Sequence, residues 1–482
     1  MSESDTIAAP TPEPGRTLEP ARTLEFERRA VMDGDDRLRP DFVAKVLDAV
    51  EAGDDATARA LVEPLHPADI ADLIELAAGD EREGLVAALA GIVDADVYAE
   101  LNEHVRETLI DEMDAAQVAD LAGQLDTDDA VAIIEDLDRD EQQAVLSAMD
   151  PDDRAAVEEA LTYPEETAGR LMQRELIAVP EHWTVGQVID YLRKGDDLAD
   201  DFWEVFVVSP IHHPVGTCKL SAILRSPRSI RVSDIMSEEQ TLIPVDMDQE
   251  EVSLRFQKYA LISAAVVDPA GRLVGMITVD DIVHIIQEEA GEDALLLSGA
   301  GDGDINEPVY ETYKSRVRWL AANLMTALVA SSIIRMFEHS IERLAVLAVL
   351  MPIVAGVGGN AGTQTLAVTV RAIATNQLTG SNRWRAVGRE MRVAAMNGLT
   401  IALLVGTAVS LLLGSVQLGL VIAAAMMANI LVAGLAGVLV PLTMERYGAD
   451  PAVASSIFVT MVTDSMGFLA FLGLATWVGL VP

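Results

Sequence analysis

A single cysteine, Cys218, stands among 482 residues, so no disulfide can close within the chain and a reducing compartment suits it. Histidine is scarce too, at seven, which leaves few imidazole donors for a zinc or copper site. Basic residues are outnumbered: 34 Lys and Arg face 77 Asp and Glu, for a net charge of −43. That deficit excludes nucleic acid as a partner, because phosphate backbones are bound by positive surface. There is no GxxxxGK[ST] phosphate loop and no evident nucleophile–base pair, so neither an ATPase motor nor another enzyme is indicated. Residues 1–40 lack the apolar core of a signal peptide and read as a mostly disordered tail.

The charge is unevenly spread. Residues 1–315 hold 24 Lys and Arg against 71 Asp and Glu, whereas 316–482 hold 10 against 6 and consist largely of apolar runs. The second part reads as membrane. Five spans are expected, at about 319–336, 341–370, 391–413, 416–444 and 452–481. Arg316 and Arg318 precede the first span, and Arg383, Arg385, Arg389 and Arg392 lie in or beside the loop after the second. The positive-inside tendency therefore places the amino-terminal part in the cytoplasm and the carboxyl terminus outside.

Between about 41 and 162 a twelve-residue repeat emerges: AQVADLAGQLDT from 116, DDAVAIIEDLDR from 128, DEQQAVLSAMDP from 140 and DDRAAVEEALTY from 152. Asp126, Asp138 and Asp150 fall at expected helix N-caps, and Leu125, Leu137, Met149 and Leu161 recur at one apolar position. Such short helices bury their faces only by stacking, which predicts a superhelical domain with HPADIADLIELA (66–77) as an earlier member. From about 163 to 285 the pattern alternates. EVFVVS (204–209), SAAVVD (263–268) and LVGMIT (273–278) read as strands, with helices at 184–194, 219–224, 249–258 and 279–289, giving a pair of small α/β units.

Two features of the apolar part carry chemistry. PIVAGVGGNAGTQ (352–364) crowds Pro352, Gly356, Gly358, Gly359 and Gly362 into the second span. So many breakers predict an interrupted helix, which membranes tolerate only beside protein or water. Asn360 and Gln364 offer amide oxygens there, and a pore lining is preferred to small-residue packing alone. Asp464 lies near the middle of the fifth span. With Ser456 and Thr460 it follows a four-residue spacing that makes one narrow polar face. A carboxylate at the bilayer centre costs at least about 2.5–3.5 kcal/mol and persists by facing a cavity, a partner charge or an ion. Arg335, Arg343 and Arg371 lie near span ends, so a salt bridge is the weaker explanation. Oxygen donors alone point to Mg²⁺ or Ca²⁺. In a symmetric dimer two copies of Asp464 would match the charge of one such ion.

HPADIADLIELA (66–77), LDTDDAVAIIEDL (125–137), YPEETAGRLM (163–172), GRLVGMITVDDIV (271–283), PIVAGVGGNAGTQ (352–364) and DPAVASSIFVTMVTDSMGFLAFLGLA (450–475) together make the sequence resemble the MgtE family of magnesium transporters over nearly its whole length. The resemblance implies a multidomain homodimer in the inner membrane of a bacterium. It would comprise a helical superhelical N domain (41–162), a tandem CBS pair of α/β units (163–288), a connecting plug helix (289–318) and a five-helix pore domain (319–482). The family's fifth-span aspartate, which reads the permeating hydrated ion, falls on Asp464, and the asparagine of its GGN motif on Asn360. Cytosolic Mg²⁺ held by acidic residues would shut the pore, so Mg²⁺ is both cargo and regulatory ligand. By position the candidates are Asp69, Asp72, Asp128, Asp129, Asp280, Asp281, Glu288, Glu289, Glu292 and Asp293; each alone is more simply a solvated helix face. Opposed carboxylates repel without the ion and are bridged with it, which biases a two-state arrangement.

Two departures from the family pattern are visible. SPIHHPVGTCKL (209–220) replaces an acidic turn, and His212, His213 and Cys218 in this Pro-rich loop lack a fourth ligand for a metal site. GAGDGDINEPVY (299–310) makes the connector Gly-rich. No residue supports nucleotide binding by the CBS pair. A broader divalent carrier for Co²⁺, Mn²⁺ or Ca²⁺ is the nearest alternative. A membrane-anchored CBS sensor without transport is a further one, against which Asp464 argues.

Overall fold

The computed structural model describes residues 31–35, 37–194, 198, 202–299, 305–378, 380–453 and 455–480, without the side chains of Asp80 and Asp293. The expected tail falls outside these residues over 1–30. Its last part is not a tail: Met32 and Leu38 are bridged and lie buried in the core of the first domain. The chain divides into two compact units, Met1–Met247 with Ser263–Ile277, and Asp248–Ile262 with Thr278–Pro482.

The first unit opens with short helices: α1 (Pro40–Glu51), α2 (Asp55–Val62), α3 (Pro67–Leu76), α4 (Gly79–Ala88), α5 (Ala95–Ala99), α6 (Glu103–Ile110), α7 (Ala115–Ala122), α8 (Thr127–Glu135), α9 (Arg139–Ala148) and α10 (Pro151–Ala160). Asp126, Asp138 and Asp150 do occupy N-cap positions, yet their side chains make no capping bond. At α8 the role passes to Glu175, whose carboxylate accepts from the Thr127 amide at 3.2 Å and its hydroxyl at 2.7 Å. The repeated apolar position is the core position: Met149 is buried and Leu125, Leu137 and Leu161 pack against the same cluster. Helices two apart touch, α7 with α9 and α8 with α10, as stacking in a superhelix requires.

Two three-stranded sheets follow. The first comprises β1 (Ala178–Pro180), β2 (Glu204–Val208) and β3 (Pro214–Lys219), with α11 (Val185–Leu192) and α12 (Leu220–Arg225) between or after the strands. The second comprises β4 (Leu242–Pro244), β5 (Ser263–Val267) and β6 (Leu273–Thr278). β1, β3 and β4 escape sequence reading, two of them because three residues show no periodicity. β3 is the instructive case, since Pro214 and Gly216 made it read as loop. Gly216 is needed there because a Cβ would stand 2.7 Å from the Ser237 carbonyl oxygen. Cys218 is thus a buried strand residue, its Sγ 3.9 Å from the Val232 carbonyl, and burial pushes its thiol up to about 11.

The second unit contains α13 (Gln249–Tyr259), α14 (Val279–Ser298), α15 (Val309–Met336), α16 (Glu338–Arg343), α17 (Val346–Ala374), α18 (Arg383–Leu413), α19 (Val416–Arg446) and α20 (Ser455–Trp477). α15, α17, α18, α19 and α20 are long and apolar enough to cross a membrane. α14 runs unbroken through 288/289, where the CBS pair is expected to end and a connecting helix to begin. The second span also corrects the sequence reading: α17 is one continuous 29-residue helix with Pro352 inside it. Pro352 is the seventh residue of that helix, past the first turn, so it removes one ladder bond, to the Ala348 carbonyl, yet the helix continues through it. Gly358 and Gly362 serve packing rather than unwinding. α19 is the central helix, packed along α17, α18 and α20.

Candidate ion site in the membrane helices

Close approach of three helices sets the geometry. A Cβ on Gly362 of α17 would lie 2.7 Å from Val459 Cγ1 of α20, and one on Gly437 of α19 would lie 2.8 Å from the Gly362 carbonyl oxygen. Asn429 of α19 sits at the same crossing, 1% exposed, between Gly358 of α17 and Gly467 of α20. Its Nδ2 donates to the Val354 carbonyl at 2.9 Å, while its Oδ1 is buried without a partner among the described residues.

That packing fixes which way the polar residues lie. On α17 the buried stripe includes Gly358, Gly362 and Leu366. Asn360 and Gln364 lie two residues from members of that stripe, about 200° around the helix, and both are exposed on the protomer. On α20 the buried stripe is Ser455, Val459, Thr463 and Gly467. Thr460 and Asp464 follow it by one residue and are half-buried. Asp464 is the tenth of the helix's 23 residues, about 14 Å along at 1.5 Å per residue. Among the described residues it has no ion pair and no hydrogen-bond partner, so neither Arg335, Arg343 nor Arg371 neutralises it. No hydrogen bond joins Asn360 or Gln364 to Thr460 or Asp464 within one chain. Gln364 instead borders a cavity of about 230 Å³ with Glu390 and Asn397 of α18.

The acidic candidates outside the membrane lie on helices. Asp69 and Asp72 share α3, and burial, with Asp69 as a second cause, raises the Asp72 carboxyl above its ordinary value. Asp128 and Asp129 lie in the first turn of α8, and Asp280 and Asp281 in the first turn of α14. Asp281 accepts from the Thr278 hydroxyl at 2.7 Å. Glu289 accepts from Gln249 of α13 at 2.6 Å, Glu288 and Glu292 stand on the same helix α14, and the Asp293 side chain lies outside the described residues. Among the described residues no three His, Cys, Asp or Glu side chains gather as a metal site.

Sequence reasoning passed over three features. Asn429 is legible as an amide near the middle of a 31-residue apolar helix whose other amide, Gln417, stands at its start. Glu390 was hidden by the arginines around it. Glu135 of α8 faces Arg170 with 3.4 Å between Oε2 and Nε, and burial raises its carboxyl to about 7 against the lowering effect of Arg170; nothing in the local sequence marks it.

Comparison with known proteins bears on these residues. A model of the MgtE divalent cation transporter family matches 351–474, one of the MgtE intracellular N domain matches 65–166, and one of the CBS domain matches 232–288. The chain is 33% identical to magnesium transporter MgtE of Enterococcus faecalis over 320 residues, covering 66% of this chain and 70% of that one. With magnesium transporter MgtE of Thermus thermophilus the identity is 34% over 320 residues, 65% of this chain and 70% of that one. A crystal structure of the cytosolic domain of the Mg²⁺ channel MgtE in complex with ATP is 28% identical, covers 50% of this chain and 99% of that one, and superposes with a TM-score of 0.47.

Proposed function

Since the chain belongs to the MgtE family of magnesium transporters, we propose that it takes up Mg²⁺ down the electrochemical gradient through a path on which Asp464 reads the hydrated ion. The observation that carries this reading is the half-buried carboxylate of Asp464 at mid-span, without a counter-charge among the described residues. An uncompensated charge there is stable only if a cation or water supplies what lipid cannot. Mg²⁺ gives up its water reluctantly, so one carboxylate with hydroxyl and amide oxygens suits an ion held through its hydration shell. An inside-negative potential of 100 mV favours inward movement of a divalent ion by about 4.6 kcal/mol, at 2.3 per charge.

The pathway belongs to a homodimer. Asn360 and Gln364 are exposed amides on a membrane helix, and a second copy or the water of a pore covers them at far lower cost than lipid. The positive-inside tendency of the arginines at the start of α18 supports a cytoplasmic acidic amino-terminal part and an external carboxyl terminus. There Asp69, Asp72, Asp128, Asp129, Asp280, Asp281, Glu288, Glu289, Glu292 and Asp293 are the acids from which regulatory Mg²⁺ sites are drawn, and bound Mg²⁺ favours the closed pore.

The test is flux. The full chain in liposomes, under an inside-negative potential, admits Mg²⁺ faster than Ca²⁺ or Co²⁺. Equal rates for the three ions would favour a broad divalent carrier, and no flux of any would overturn transport.

A further inference from the structure

α17 and α18 both pack along α19, and the cavity of about 230 Å³ lies between them. Its polar lining is Gln364 and Thr365 from α17 with Arg389, Glu390 and Asn397 from α18. Small residues make the room: the α18–α19 contact is so tight that a Cβ on Gly434 would lie 2.7 Å from the Ala394 Cβ. The space equals about eight waters at about 30 Å³ each, enough for a divalent ion with six first-shell waters. Thr365 already donates its hydroxyl proton to the Ala361 carbonyl at 3.2 Å, so its oxygen faces a ligand as an acceptor. Water bound to a divalent ion donates strongly and seeks such acceptors, which the Gln364 and Asn397 amide oxygens also supply.

The charges are unequal in burial. The Glu390 side chain is 10% exposed, whereas its ion-pair partner Arg389 is 66% exposed. A buried carboxylate requires a counter-ion, but an exposed guanidinium is held only weakly. Glu390 is thus a fixed anion with an exchangeable cation. We infer that this cavity is a second station for a hydrated divalent cation, which displaces Arg389 from Glu390 as it enters. Arg389 is then an internal competitor, and its removal strengthens occupancy.

The inference rests on the transport reading above, and the experiment separates the two. Initial Mg²⁺ flux into liposomes is measured against Mg²⁺ concentration for the full chain and for Arg389→Gln, Glu390→Gln and Asn397→Leu. Arg389→Gln is expected to lower the half-saturating concentration about fivefold, and Glu390→Gln to raise it about tenfold. Asn397→Leu, outside the ion pair, raises it as well and keeps the inference testable if Glu390→Gln does not fold. Wild-type flux with Arg389→Gln and Glu390→Gln moving together, or not moving, marks a merely structural pair and overturns the inference alone. No wild-type flux overturns both readings.

Discussion

The Asn429 side-chain nitrogen donates to the Val354 carbonyl oxygen at 2.9 Å, tying α19 to α17 inside the membrane bundle. Two glycines make room for that amide, Gly358 on α17 and Gly467 on α20. Gly358 lies two residues before Asn360 and Gly467 three after Asp464, so one buried amide sets the crossing of both helices that carry the proposed ion path.

A Cβ on Gly358 would stand 2.0 Å from Asn429 Nδ2, and the helices must part to admit it. Gly358→Ala is expected to destabilise the chain by about 1–3 kcal/mol. Adding Asn429→Ala removes the clashing group, so the double variant is expected to lose less than the two single losses combined. Thermal melting of all three variants in detergent checks this coupling.

Gly356 and Gly362 share a helix but not a role. Nothing lies within 4 Å of a Cβ built on Gly356, whereas Gly362 meets Val459 at 2.7 Å. Gly356→Ala is expected to be neutral or to stabilise by up to about 1 kcal/mol through helix propensity. Gly362→Ala is expected to lower both melting temperature and Mg²⁺ flux. Were Gly356 a hinge in an unwound segment, its substitution would slow flux, and the pair of measurements distinguishes these roles.

Glu135 gives the cytoplasmic part a pH dependence of definite sign. Burial raises its carboxyl from the ordinary 4.5 to about 7, against the lowering by Arg170 and Arg106, with Asp136 and Glu165 adding to the rise. Its folded form holds the proton more tightly than the unfolded chain. The associated stability is therefore fully present below about pH 4.5 and is lost as pH rises through about 7. Glu135→Gln should remove that slope, a difference on the order of 1–3 kcal/mol between pH 5 and 7.5, read as melting temperature against pH for both chains.

If cytosolic Mg²⁺ draws acidic helices together, it also shields the chain between them. Millimolar MgCl₂ is expected to slow proteolysis of the amino-terminal part more than NaCl of equal ionic strength. Equal protection by both salts would count against specific sensing and leave only charge screening.

Much of this architecture was legible because it repeats or persists. The twelve-residue recurrence of Leu125, Leu137, Met149 and Leu161 marks the helical stack, and the apolar runs mark the five long helices. Asp464 stood out because a charge in such a run has few ordinary explanations. What sequence misread was α17: Pro352 and four glycines are breakers in water, but in a tightly packed bundle Gly358 and Gly362 are contact points and the helix continues. What sequence could not reach were relationships between distant residues. Thr127 meets Glu175 and Glu135 meets Arg170 only through tertiary packing, which also brings Gln364 and Glu390 to line one cavity.

The most direct test of the central claim is Mg²⁺ flux through Asp464→Ala, reconstituted in liposomes beside the wild-type chain, with equal melting temperatures shown first. The account predicts that flux falls to that of protein-free vesicles. Wild-type flux through Asp464→Ala would contradict it.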